Sequence, residues 1–221
     1  MRWKKFLSIA AVTLAVLSMT ACATKTENTD DYSAFKESQL RSILVLPPIN
    51  KTVEVLASHS VLSHATFPLS ESAYYVIPVT LVAETFKENG LTEPTDIHAT
   101  PIEKPHQIFG ADAVLYINIL EYGTVYKAVK SESLVSAHAR LVDLKSGKTL
   151  WQGSATTSSE EGQNHQGSLV SLLVSAVVNQ IIATASDRSH DIAGITTNRL
   201  LYAGHSSDIL CGQRSPHFSD K

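Results

Sequence analysis

Two thiols, nine imidazoles and a scatter of carboxylates are the groups in this 221-residue chain whose chemistry could matter. Cys22 follows Ala21 at the small-residue exit of a run that carries no charge over residues 6–24, and the only other thiol is Cys211. The histidines are His59, His64, His98, His106, His138, His165, His190, His205 and His217. Only His59 and His64 are close in sequence, and a spacing of five does not stack two side chains on one helical face. A metal centre needs ligands that converge and are themselves held in place, so no metal is expected. Glu160-Glu161 and Asp30-Asp31 lie in polar stretches and read as solvated charge. The sequence contains no Gly-rich phosphate loop, no Gly-x-Ser-x-Gly elbow and no His-Glu-x-x-His zinc helix. The expectation is a protein that is not an enzyme and uses no cofactor. A triad can still assemble across a fold, which keeps an enzyme as the alternative.

Cys22 draws its meaning from what precedes it. Arg2, Lys4 and Lys5 open the chain, a short apolar centre spans residues 6–17, and Ser18-Met19-Thr20-Ala21 leads to the thiol. A basic start, an apolar segment too short to span a membrane and a small-residue exit describe a secretory signal peptide. Its ending resembles the lipobox of bacterial lipoproteins. That resemblance implies a cut before Cys22, diacylation of its thiol and acylation of the new amine. The domain plan is then residues 1–21 as signal peptide, 22–40 as lipidated Cys and flexible tether, and 41–221 as one α/β domain with a loop-rich carboxyl-terminal tail. Ala23 after the lipidation site, where inner-membrane lipoproteins usually carry Asp, implies an outer-membrane address on the periplasmic side, with surface exposure left open.

Cleavage before Cys22 leaves 200 residues and, by removing Arg2, Lys4 and Lys5, takes the formal net charge from −3 to −6. A mildly acidic chain with no basic run is a poor electrostatic match for nucleic acid. With 43% hydrophobic and 18% charged residues the composition is that of a globular domain. Cys211 cannot close an intrachain bridge once Cys22 carries lipid, so stability must come from packing.

The elements that would position any site are legible in part. Ser42-Ile43-Leu44-Val45-Leu46 is an apolar β-branched run stopped by Pro47-Pro48, with Asn50 and Thr52 at its carboxyl end. Turn capping is the plainer role for those two, and function at a strand's carboxyl end the sharper one. Residues 72–77 read as a second strand. Residues 79–89 have helical spacing, with Val82 and Phe86 inward and Gly90 as the stop. Residues 92–100 read as a loop and 104–109 as a short helix ending at Gly110. Residues 113–125, 133–144 and 149–157 form a three-stranded antiparallel meander, in which Val135, Ala137, Ala139 and Leu141 share one face. Gly147 in Lys145-Ser146-Gly147-Lys148 supplies the positive φ of the hairpin. A short helical pattern lies around residues 196–201. The predicted class is α/β (α+β): one layered domain with a mixed sheet and helices packed on it.

Residues 168–186 hold no charge, and a helix there has an outer face of Ser171, Ser175 and Asn179. Helices that face only water usually carry Lys and Glu, so these three residues are expected to meet a partner, most simply a second copy of the chain. A Ser-rich solvated face is the competing reading. The stretch is too polar to enter a bilayer.

Three stretches together carry a wider resemblance: Ile43 to Pro48, Gly110-Ala111-Asp112-Ala113-Val114-Leu115, and Leu141-Val142-Asp143-Leu144-Lys145-Ser146-Gly147-Lys148-Thr149-Leu150-Trp151. With the lipobox, they resemble a bacterial lipoprotein family of unknown function typified by a neisserial surface lipoprotein. The resemblance implies a fold like the amino-terminal domain of the Tol-system periplasmic protein. It also implies a binding or structural role in envelope assembly or secretion, in the company of curli-export-type lipoproteins. It implies no catalytic residues. The alternatives are an envelope enzyme acting on peptidoglycan or lipid, and a carrier of a small apolar ligand.

Overall fold

The computed structural model describes residues 32–126, 131–161, 188–203 and 209–218. Helix α1 (Ser33–Ser38) leads into strand β1 (Ser42–Val45), the two-residue β2 (Ile49–Asn50) and helix α2 (Ala57–Glu71). Strand β3 (Tyr75–Val76) and helices α3 (Val79–Glu88), α4 (Pro94–His98) and α5 (Glu103–Phe109) follow. Then come β4 (Ala113–Tyr126), β5 (Ser131–Asp143), β6 (Thr149–Ser158) and α6 (Arg188–Leu201). The strands make one mixed sheet in the order β3-β1-β4-β5-β6, with β2 also pairing to β4. Pairs among β3, β1, β2 and β4 are parallel; β4-β5 and β5-β6 are antiparallel. The expected α/β class, mixed sheet and three-stranded meander are what the chain forms.

Alternation along the strands explains the layers. Ile43, Val45, Ala113, Leu115, Ile117 and Leu141 face one side, where α1, α2 and α6 supply Phe35, Val61, Leu69, Ile192 and Leu200. Leu44, Leu46, Val114, Tyr116 and Val142 face the other, against Val82, Phe86 and Ile97 of α3 and α4. β1 and this part of β4 are covered on both sides, which is why their sequences read as nearly unbroken apolar runs. Arg140, opposite Tyr116 in the β4-β5 register, sets its guanidinium 5.0 Å from the ring centroid.

Several boundaries differ from expectation. The tether was expected to reach residue 40, but α1 is folded and both Phe35 and Leu40 are buried in the core. Of residues 72–77 only Tyr75–Val76 pair as strand, because Ser72 closes α2 with its hydroxyl on the Pro68 carbonyl at 2.6 Å. The expected loop over residues 92–100 contains α4, opened by Pro94 in the first turn, where its missing N–H has no consequence. The helix seen around residues 196–201 runs from Arg188.

Candidate functional site

The β1-β2 line ends in a loop that its own polar groups make rigid. Asn50 Oδ1 accepts from the Thr52 amide at 2.9 Å and from the Thr52 hydroxyl at 2.8 Å. Asn50 Nδ2 donates to the Glu54 carbonyl at 2.7 Å, and the Glu54 amide donates to Thr52 Oγ1 at 3.2 Å. The Lys51 amide is fixed to the Ile119 carbonyl of β4 at 3.0 Å, and the Ser58 hydroxyl donates to the Pro48 carbonyl at 2.8 Å. Glu54 lies against β4 where Gly123 has no side chain; a Cβ there would come within 3.1 Å of Glu54 Cγ. Turn capping is therefore the role of Asn50 and Thr52, as the plainer reading had it.

What that turn displays is less ordinary. Val53 is 94% exposed, Val55 84% and Leu56 67%, with Leu120 of the adjoining strand at 42%. A single exposed apolar side chain needs no explanation. Three within the hydrogen-bonded residues 50–56 form a pre-ordered apolar projection, the kind of feature that marks a binding surface. The sequence carried the signal in Asn-x-Thr followed by Val-x-Val-Leu, with the apolar residues standing outside any regular element.

At the opposite end of the sheet the two signature carboxylates hold the framework. Asp112 Oδ2 accepts from the amides of Arg41 and Ser42, each at 3.1 Å, and from the Ser42 hydroxyl at 3.0 Å. Lys145 Nζ lies 3.6 Å from its other oxygen. Asp143 accepts from the amide of Ser146 at 2.8 Å and from its hydroxyl, closing the hairpin in which Gly147 has φ of 71°. These residues line a polar groove of about 520 Å³ with Glu37, Arg41 and Lys148. Burial pushes the Asp112 carboxyl up, but the hydrogen bonds from Arg41 and Ser42, with Lys145, outweigh it and hold the pKa below the ordinary value.

The imidazoles serve mainly as packing and bridging groups. His98 meets the Pro47 carbonyl at 2.8 Å and the edge of Tyr116; His106 meets the Ala111 carbonyl at 3.0 Å. Burial, with a smaller contribution from Arg140, lowers the His98 pKa against the pull of that Pro47 bond. His64 and His190, far apart in sequence, come together with ring centroids 4.4 Å apart, and His190 Nδ1 lies 2.8 Å from Ser60 Oγ. Ser60 is buried in the body of α2 and His190 is partly buried on α6, so the hydroxyl–imidazole pair bridges the two helices. Among the described residues no group of three or more His, Cys, Asp or Glu is arranged to hold a metal ion. Cys22 and the expected interface residues Ser171, Ser175 and Asn179 lie outside the described residues. Cys211 is half-buried beside Tyr74, whose hydroxyl donates to the Leu210 carbonyl at 2.6 Å.

Residues 30–214 match the family model described as "Putative lipoprotein GNA1162-like". The chain is also 49% identical over 201 residues to "Putative lipoprotein NMB1124/NMB1162" of Neisseria meningitidis serogroup B, covering 90% of this chain and 93% of that one. The chain belongs to the GNA1162-like lipoprotein family. A crystal structure of the family's lipoprotein GNA1162 from Neisseria meningitidis is similar to it at 52% identity and a TM-score of 0.53, over 66% of this chain and 99% of that one. Membership agrees with the resemblance carried by the Ile43–Pro48, Asp112 and Asp143 stretches, and the structure shows what two of them do: Asp112 and Asp143 fasten one end of the sheet. Among the described residues of this family member, no helix is long and apolar enough to cross a membrane.

Proposed function

We propose that the chain is a lipid-anchored docking component of a cell-envelope assembly, held at the outer membrane by acylated Cys22 and acting by binding rather than turnover. The observation that carries this reading is the ordered loop presenting Val53, Val55 and Leu56 to solvent. Such side chains cost free energy in water, and a loop fixed by six polar contacts loses little further entropy when a partner covers it.

The partner that fits is a protein with an uncharged apolar cleft. The described chain begins at α1, whose Ala34 and Glu37 line the groove at the hairpin end of the sheet. The loop follows β2 at the other end of the β1-β2 line. α1, the first described element, thus lies at the end away from the projection. The loop of residues 50–56 also carries one Lys and one Glu, Lys51 and Glu54, whereas a headgroup-seeking segment would be basic. Secretion or assembly as the process, and curli-export-type lipoproteins as neighbours, rest on the family resemblance alone.

The test is a photo-crosslinking residue placed at Val55 in intact cells, with a second at Thr80 on the exposed side of α3 as control. One discrete product from position 55, absent from position 80 and lost in Leu56→Asp, supports the reading. Equal, diffuse labelling from both positions contradicts it, as does release of product when the purified chain is incubated with cell-wall fragments or phospholipid.

A further inference from the structure

α6 packs along α2 over a largely apolar contact, with Val61 and Ala65 on one helix against Ile192 and Ala193 on the other. Four polar side chains interrupt it: Ser60 and His64 from α2, His190 and Asp191 from α6. The His64 ring fills a notch that exists because residue 194 is glycine; a Cβ there would stand 3.1 Å from His64 Cε1. Its ring is tilted 41° to that of His190 at 4.4 Å between centroids. His64 Nε2 and Asp191 Oδ2 are both buried and have no hydrogen-bond partner among the described residues.

Those two buried atoms define what a proton would do. In the neutral ring Nε2 is an acceptor without a donor, a modest cost. Once protonated it becomes a charged donor with no acceptor, enclosed between two helices, which is far more costly. We propose that His64 and His190 form an acid-sensitive latch, in which proton arrival at His64 Nε2 loosens α6 from α2 while the sheet stays folded. Loosening α6 would uncover the β5 face of Val135, Ala137 and Ala139, against which α6 packs with the Thr196 hydroxyl, bonded to the Ile192 carbonyl at 2.9 Å, standing 3.4 Å from the Val135 carbonyl.

The titratable and charged groups that act on His64 are His190 and Asp191, both on α6. Burial lowers the His64 pKa most, and the His190 ring lowers it further; a backbone hydrogen bond at His190 and the Asp191 carboxylate oppose them and do not prevail. A folded pKa below the ordinary value of about 6.5 means that the unfolded chain takes up the proton more readily. The contact is at full strength above about pH 6.5 and weakens as pH falls from there toward the folded pKa.

Amide hydrogen exchange of the full chain in detergent micelles tests the latch at about pH 7.5 and about pH 5.5, each corrected for the intrinsic chemical rate. In the wild type, opening of residues 192–201 is expected to rise several-fold at the lower pH, while β4 amides stay protected. His64→Gln keeps a polar ring-sized group that does not titrate, and the pH effect on α6 is expected to vanish whatever its basal protection. Nuclear magnetic resonance titration of the wild-type imidazoles answers the question even if that variant folds poorly, because the His64 midpoint should lie below about 6.5 and coincide with α6 opening. Unchanged α6 protection between the two pH values would overturn the latch. So would a pH effect that survives in His64→Gln, or a His64 midpoint at or above the ordinary value.

Discussion

Ser42 and Asp112, 70 residues apart, bind each other reciprocally: the Ser42 hydroxyl donates to Asp112 Oδ2 at 3.0 Å while the Asp112 amide approaches Ser42 Oγ at 3.1 Å. The exchange locks the starts of β1 and β4, which pair in parallel from Ile43 and Ala113 onward. Parallel neighbours have no hairpin to set their register, so a side chain must do it.

Asp112→Ala removes the acceptor of three hydrogen bonds and leaves two backbone amides to solvent or to each other. With the carboxylate partly exposed, solvent screening discounts the loss to about 1–3 kcal/mol. Because the folded pKa of Asp112 is depressed, its contribution is present above about pH 4, the ordinary carboxylate range, and fades as pH falls through the folded value. Urea unfolding at neutral pH and at about pH 3 should show a wild-type excess over the variant that shrinks in acid. An excess that stays constant would mean that ionisation of Asp112 does not matter.

Gly147 has φ of 71°, and a Cβ there would lie 3.0 Å from Ile102 Cδ1. A β-branched residue meets both the left-handed strain and the contact, so Gly147→Val should cost about 1–3 kcal/mol. Gly147→Asn, which tolerates positive φ, should cost less than Gly147→Val. Thermal melting of the two variants decides; equal melting temperatures would show that strain is not the cause.

Gly147, the meander and the inward pair Val82 and Phe86 were legible because turn chemistry and strict periodicity are local signals. α2 was not legible. Its buried positions Ala57, Ser60, Val61, Ala65, Pro68 and Leu69 do follow helical spacing, but small and hydroxylated residues hide that face from any reading of hydropathy. α6 was seen only in its last turns for the same reason: Thr196 and Thr197 are buried, and the Thr196 hydroxyl satisfies itself on the Ile192 carbonyl at 2.9 Å. The His64–His190 contact and the Ser42–Asp112 exchange join residues across the fold, and no local pattern announces either. Asn50 and Thr52 were correctly placed at a strand end, while the three apolar residues that they hold in display were passed over.

Asn50→Ala removes the three hydrogen bonds of the carboxamide and should free the loop without unfolding the core. The expected cost is about 1–2 kcal/mol, with protease cleavage near residues 53–56 accelerated well before global unfolding. Val55→Ser, at a position 84% exposed, should stay within about 0.5 kcal/mol of the wild type. Limited proteolysis followed by mass spectrometry separates the cases, and an uncut loop in Asn50→Ala would show that the turn does not depend on that side chain.

Cys22→Ala should release the chain from membranes. Two or three acyl chains at about 0.8 kcal/mol per buried CH₂ hold a protein almost irreversibly, and among the described residues no helix is long and apolar enough to cross a membrane in their place. Fractionation after a high-salt wash reads the result; a variant that still sediments with membranes would mean that lipid is not the anchor.

The docking account is tested most directly by the native size of the lipidated protein extracted from membranes in mild detergent, compared between wild type and the double variant Val55→Asp, Leu56→Asp. Both positions face solvent, so the variant should fold with a melting temperature near that of the wild type and still fractionate with membranes. The account predicts a wild-type assembly larger than one chain in its micelle, and a double variant reduced to the single chain. A double variant that is folded, anchored and unchanged in size would contradict it.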